Sequence, residues 1–196
     1  MMHPHTTCRQ VNECVGLGVF ATQDIPKGTI MNIESSLDIL IEKGLYEKLP
    51  SEYRSYVDTY SYVDEGDICR INWDHARYLN HCCFPNTLTT AYGFEIAIEN
   101  IKKGEQVTCD YRLFNHKIPE LSLICNQKNC VKMLKFPGLR QHIDLCDEAI
   151  KNALRGFSGV PQPLFDLMDN SIKNALEDFL KNNENYESLG NWVIPK

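Results

Sequence analysis

Between Val11 and about Tyr111 the hydrophobic positions come in short runs broken by turn residues, which predicts a meander of brief strands. Val19-Phe20-Ala21 gives way to Asp24-Ile25-Pro26-Lys27-Gly28 and resumes at Thr29-Ile30-Met31. Phe94-Glu95-Ile96-Ala97-Ile98 likewise gives way to Asn100-Ile101-Lys102-Lys103-Gly104 and resumes at Gln106-Val107-Thr108. Both passages read Ala-x-x-Asp/Asn-Ile-x-Lys-Gly, so one strand, glycine-turn, strand pattern appears twice. In between, Ser51 after Pro50 starts a helix that sets Tyr53, Tyr56 and Tyr60 on one face. Packing is the expected use of that face, with an aromatic groove for a lysine-bearing chain as the alternative.

After about Leu139 the period becomes helical. Ile143, Cys146, Ile150 and Leu154 form one stripe that stops at Gly156. A second helix is expected from Pro163, with Leu164, Leu167, Met168, Ile172, Ala175, Leu176, Phe179 and Leu180 as a broad apolar face. That face must be covered, either by the strands or by a second copy in a homodimer.

Composition narrows the class. A chain of 196 residues with 43% hydrophobic and 23% charged residues can bury roughly 70% of its unfolded surface, so no disulfide or metal is needed merely to fold. Disorder and collagen are excluded, and no run approaches the ~18 apolar residues of a membrane span. Nine cysteines behind an N-terminus without a basic start or apolar core predict reduced thiols in the cytoplasm or nucleus.

The net charge of -6 is unevenly spread. From Glu34 to Asp67 nine acids face three bases, whereas from Lys102 to Arg140 eight bases face three acids. No general basic surface for nucleic acid results. The acidic passage reads as a solvated face or as a field that attracts a cationic peptide.

Three passages carry candidate chemistry. Gly16-Leu17-Gly18-Val19-Phe20-Ala21 has the form G-x-G-x-x-A, but polar residues precede it and Pro26 and Gly28 cut short any following helix, which speaks against a dinucleotide-binding turn. Arg77-Tyr78-Leu79-Asn80-His81-Cys82-Cys83-Phe84-Pro85-Asn86 is a compact polar and aromatic segment. Gly104-Glu105-Gln106-Val107-Thr108-Cys109-Asp110-Tyr111 ends a strand on a tyrosine. In this order the three passages, within a span from about Val15 to Leu139, resemble the SET-domain protein lysine methyltransferases.

That resemblance implies a mainly β fold with α-helices: a SET domain of small curved sheets with a pseudoknot at residues 15–118, preceded by an N-terminal segment at 1–14. A variable insert at about 34–67 lies inside it, a post-SET-like segment follows at 119–139, and a C-terminal helical extension covers 140–196. It implies S-adenosylmethionine as cofactor, touched by Leu17, Gly18, Asn80, His81 and Tyr111, with Tyr111 catalytic and His81 structural rather than a base. Cys109, Tyr60 and Tyr62 would line the substrate channel. Cys109 stands where many relatives carry Tyr or Phe, so a roomy channel that admits more than one methyl group is expected. The substrate would be a lysine in a basic protein or peptide, histone or other, with no membrane or direct nucleic acid partner. A catalytically silent SET module that binds a partner is the alternative. Cys125 and Cys130, with Cys83, resemble a post-SET zinc set in which Leu123 replaces a cysteine, leaving a fourth position for His116, His142, Cys146 or water.

Overall fold

The computed structural model describes residues 1–123, 128, 130–135, 142–182 and 185–193. Its strands are β1 (Thr6–Asn12), β2 (Gly16–Ala21), β3 (Ile30–Ile33), β4 (Ile39–Ile41), β5 (Ser61–Asp64), β6 (Ile68–Ile71), β7 (Asn80–His81), β8 (Thr87–Thr89), β9 (Phe94–Ala97), β10 (Gln106–Cys109), β11 (Glu120–Ser122) and β12 (Met133–Lys135). Its helices are α1 (Lys43–Tyr46), α2 (Ser51–Tyr60), α3 (Ile143–Leu154), α4 (Asn170–Asn182) and α5 (Leu189–Val193). The strands make four small sheets: β1-β2-β10-β7, β3-β9-β8, β4-β6-β5 and the hairpin β11-β12. Every contact in the first sheet is antiparallel except β7 on β10, where Thr108 faces Asn80 and Cys109 faces His81 in parallel register.

The repeated strand-turn-strand passages pack against each other. Ile25 and Ile101 exchange backbone hydrogen bonds of 2.8 and 2.9 Å. The Gly28 N–H donates to the Ala97 carbonyl and the Gly104 N–H donates to the Ala21 carbonyl, both at 2.8 Å. Each glycine therefore anchors its turn on the alanine of the other copy. Both hold positive φ, 92° at Gly28 and 84° at Gly104, a region that glycine enters without strain.

The C-terminal extension completes the core. Ile150 and Leu154 of α3, Leu176 and Phe179 of α4 and Leu189 of α5 cluster with Ile30, Ile33, Leu88, Phe94 and Ile96 of the β3-β9-β8 sheet. Complete burial of a large aliphatic side chain contributes ~1.5–3 kcal/mol, so this face is a principal source of stability. Polar contacts fix its angle: Gln162 accepts from the Ile30 N–H at 2.9 Å and donates to the Gly28 carbonyl at 2.7 Å. Of the two covers expected for the apolar face, the chain's own strands provide one.

Two expectations about helices need correction. The helix expected from Pro163 is interrupted: residues 165–167 form a single 3-10 turn, Met168 is extended, and α4 starts only at Asn170. Asp169 causes the new start, because its carboxylate accepts from the Ser171 N–H at 2.7 Å and from the Ser171 hydroxyl at 2.6 Å. The break turns Leu167 outward, 59% exposed, while Leu164 and Met168 stay in the core. In α2, Tyr53 and Tyr56 do not pack; they are 62% and 67% exposed, and Val57 is the residue the helix buries.

Candidate active site

Two cavities meet at Tyr111. The larger is a cleft of about 890 Å³, walled by Gly16 and Leu17 from β2, by Asn80 and His81 of β7, by Leu121, Ser122 and Leu123, and by Tyr46, Arg54 and Asp58 from the insert. The smaller is a cavity of about 90 Å³ lined by Glu34, Tyr62, Asn72, Phe94, Glu95, Cys109 and Phe114. Tyr60, Leu79, Tyr111 and His116 line both. The structure thus brings together Leu17, Asn80, His81, Tyr111, Tyr60, Tyr62 and Cys109, which lie in four separate stretches of sequence.

The two glycines answer different needs: Gly16 holds a positive φ of 77° in open space, whereas Gly18 is closely approached by its neighbours. Gly16 and Gly18 lie in a strand, not at a helix entry, which disposes of the dinucleotide reading. A Cβ on Gly18 would come within 2.6 Å of Gln106 Nε2 and Val11 Cγ2 and within 2.9 Å of Asn80 Nδ2. The Asn80 amide donates to the Leu17 carbonyl at 2.9 Å and so ties the start of β2 to β7. Asn86 performs the corresponding task on β10: its Oδ1 accepts from the Thr108 N–H at 2.9 Å and its Nδ2 donates to the Gln106 carbonyl at 2.9 Å.

Tyr111 is held from two sides. Its hydroxyl donates to the Leu79 carbonyl at 2.5 Å, and its backbone N–H donates to His81 Nδ1 at 3.1 Å. Since Nδ1 is an acceptor, His81 carries its proton on Nε2, which lies 3.4 Å from Cys83 Sγ. Burial pushes the His81 pKa down to about 4, against the raising influence of Asp110. The 3.6 Å separation of His81 Nδ1 from Asp110 Oδ1 is consequently not an ion pair. Asp110 instead binds Arg112 in bidentate fashion, at 2.8 and 2.6 Å. His81 is a neutral positioning residue for Tyr111. Burial also drives the Tyr111 hydroxyl and the Cys109 thiol to higher pKa, so both keep their protons at neutral pH.

The insert supplies much of both walls, but its acids are largely engaged. Arg70 from β6 lies 2.6 Å from Asp64, 3.4 Å from Glu34 and 3.6 Å from Asp38. Asp67 pairs with Lys43 at 3.1 Å and with Lys117, and Asp58 accepts from the Tyr46 hydroxyl at 2.7 Å.

Residues 16–112 match the family model described as SET domain. The chain belongs to the SET-domain family. The Drosophila melanogaster histone-lysine N-methyltransferase trr is 29% identical over 61% of this chain and 5% of its own length. The human histone-lysine N-methyltransferase 2D is 30% identical over 61% of this chain and 2% of its own length. This SET-domain chain therefore spans only a small part of the curated relatives it matches. A solved Plasmodium falciparum structure, provisionally described as a histone methyltransferase, shares 22% identity over 56% of this chain and 95% of its own, with a TM-score of 0.41. That overlap is too loose to bear on the site.

The zinc set expected by resemblance is not assembled among the described residues. Cys125 lies outside them, and no three His, Cys, Asp or Glu side chains among them cluster as metal ligands. Cys130 Sγ accepts from the Lys132 N–H at 3.3 Å, His116 stands against Tyr111 with ring centroids 5.9 Å apart, and Cys146 packs on the helical core. His116, Glu95, Asn72 and Phe114 line the site without having been marked for it by the sequence. None belongs to a motif, and the apolar surroundings of Glu95 give its position away only once the strands are paired.

Proposed function

We propose that the chain is an S-adenosylmethionine-dependent protein lysine methyltransferase acting on a basic protein or peptide, histone or other. The observation that carries this reading is the junction of a cofactor-sized cleft and a narrow cavity at one held tyrosine. Ligand pockets of ~300–1,000 Å³ are typical for such molecules, and the cleft of about 890 Å³ falls in that range. The open backbone at Gly16, where no side chain intrudes, with Leu17, Asn80 and His81 beside it, fits the cofactor along the cleft. When bound, the cofactor supplies a methyl group on a positive sulfur, whose departure needs no acid.

The residues then have two tasks. The first is to hold an amine in line with the methyl carbon at ~3–3.5 Å, which Tyr60, Tyr62, Phe114 and Cys109 do by walling the small cavity beside Tyr111. The second is to orient the amine's lone pair. Because the Tyr111 proton is committed to the Leu79 carbonyl, the phenol oxygen presents lone pairs to the junction and can accept an amine N–H. That dipole is fixed before substrate arrives, so it needs no reorganisation during transfer. The aromatic walls further suit a cationic side chain.

Transfer of a labelled methyl group into a panel of basic proteins tests the reading, with Tyr111→Phe as the control. The variant is expected to bind cofactor normally and to lose ~10²–10³-fold in rate, as for removal of one preorganised polar group. A wild-type protein that neither binds cofactor nor transfers methyl to any panel member would instead make this a silent interaction module.

A further inference from the structure

The narrow cavity holds a charged group that the roles above leave unused. Glu95 is the second residue of β9 and is 4% exposed. Phe94 and Ile96 on either side point into the core shared with the C-terminal helices, whereas Ala97 belongs to the cluster that contains Cys109. Strand alternation therefore turns Glu95 away from the helices and towards Cys109.

Its carboxylate is poorly compensated. Thr87 Oγ1 lies 3.4 Å from Glu95 Oε2, but the same hydroxyl is nearer, at 3.0 Å, to the Thr108 carbonyl. A positive group that bears on it, the Met1 ammonium, donates instead to Asn32 Oδ1 at 3.2 Å and to the Ile33 carbonyl. Cys109 and Tyr111, the titratable groups that feel its charge from β10 and the turn after it, are both neutral. Burial pushes the Glu95 pKa up to about 7, so both protonation states are accessible near neutral pH. A second acceptor lies in the same cavity: Asn72 is 8% exposed, and its buried Oδ1 has no hydrogen-bond partner among the described residues. A buried polar atom without a partner is costly unless a ligand provides one.

A carboxylate and an amide oxygen within aromatic walls form a site for a cation that carries N–H donors. We propose that Glu95 and Asn72 form the ammonium-receiving end of the channel, and that Glu95 accepts the proton which a lysine ammonium must lose before methylation. The inference rests on the methyltransferase reading of the site. In the step, one N–H bond of the ammonium breaks, an O–H bond forms on Glu95, and the electron pair stays on nitrogen as the lone pair. The proton then passes from Glu95 to solvent as product leaves. A charged pair becomes a neutral pair, which the buried cavity favours. Asn72 accepts a remaining N–H and keeps the lone pair directed at the junction.

The test combines two readouts on wild type, Glu95→Gln and Asn72→Leu. Methyl transfer into core histones and a lysine-rich peptide library is followed from pH 6 to 9. Calorimetry, without cofactor, compares the peptide methylated fastest with its norleucine counterpart. Glu95→Gln is expected to slow transfer at pH 7 at least about tenfold, with the gap narrowing as rising pH deprotonates the amine directly, and to lose the preference for lysine over norleucine. Asn72→Leu, whose substitution adds no buried polar atom, is expected to weaken that preference and provides the check should Glu95→Gln fold poorly. Variants that keep the wild-type pH profile and lysine preference would overturn the inference while leaving the methyltransferase reading intact. Absence of transfer by wild type would overturn both.

Discussion

Cys109 sits 3% exposed on the wall of the narrow cavity, its thiol 4.0 Å from the Asn80 carbonyl. A cysteine fills far less of that wall than a tyrosine would, and space beside the amine decides how many methyl groups fit. Cys109→Tyr is expected to lower the highest methylation state of the product, read by mass spectrometry. An unchanged product distribution would mean that Tyr62 or Phe114, whose rings stand 5.4 Å apart, already limits the space. At this scale the placement of Tyr111, Asn80, His81 and Leu17 at the cavities was legible, because each belongs to a short segment whose spacing is itself the signal, whereas Gly18, expected beside them, lines neither cavity. Glu95 and Asn72 were not, since a lone acid between Phe94 and Ile96 acquires meaning only when pairing with β3 and β8 closes the cavity around it.

Among the elements, the C-terminal helices show both what periodicity reveals and where it fails. The stripe ending at Gly156 corresponds to α3, whose last residue is Leu154. Docking of the later part depends on one carboxylate that periodicity does not mark. Asp147, 6% exposed, accepts from the Ser188 hydroxyl at 2.6 Å, the Tyr186 hydroxyl at 2.9 Å and the Leu189 N–H at 3.1 Å. Asp147→Ala leaves those three donors in a buried setting and is expected to destabilise the fold by ~2–4 kcal/mol, measured by urea denaturation. A loss below ~0.5 kcal/mol would show that the apolar contacts of α5 suffice without the carboxylate. The tyrosines of α2 failed in the opposite direction. Their spacing is helical, but the helix turns Tyr53 and Tyr56 outward, because a period identifies a face without saying what lies opposite.

For the whole molecule, acid stability follows from groups on separate elements. Burial holds His3, His81 and His116 each down at about 4, whereas an unfolded histidine titrates near ~6.5. Between those values the unfolded chain binds more protons, so the stability they provide is complete above pH ~6.5 and is lost as pH falls towards ~4. Glu95 acts in the opposite sense: its folded pKa of about 7 exceeds the unfolded value, so the folded state gains stability as pH falls from ~7 to ~4.5. With three groups against one, the melting temperature is expected to drop between pH 6.5 and 4, and to drop more steeply in Glu95→Gln. A wild-type melting temperature that holds constant to pH 4 would contradict the neutral, buried state of the histidines.

Local spacing by itself determined the strand-turn-strand segments, the α3 stripe and the three motifs, because turn chemistry, helical period and motif registration act over fewer than about a dozen residues. Tertiary structure alone decided that the two Ala-x-x-Asp/Asn-Ile-x-Lys-Gly passages clasp each other, that β7 runs parallel to β10, and that the helical extension covers the chain's own sheet. It likewise decided which buried side chains of otherwise apolar strands face the junction at Tyr111. These are contacts between residues tens of positions apart, and a polar side chain in a strand acquires its task from whatever the paired strands place across from it.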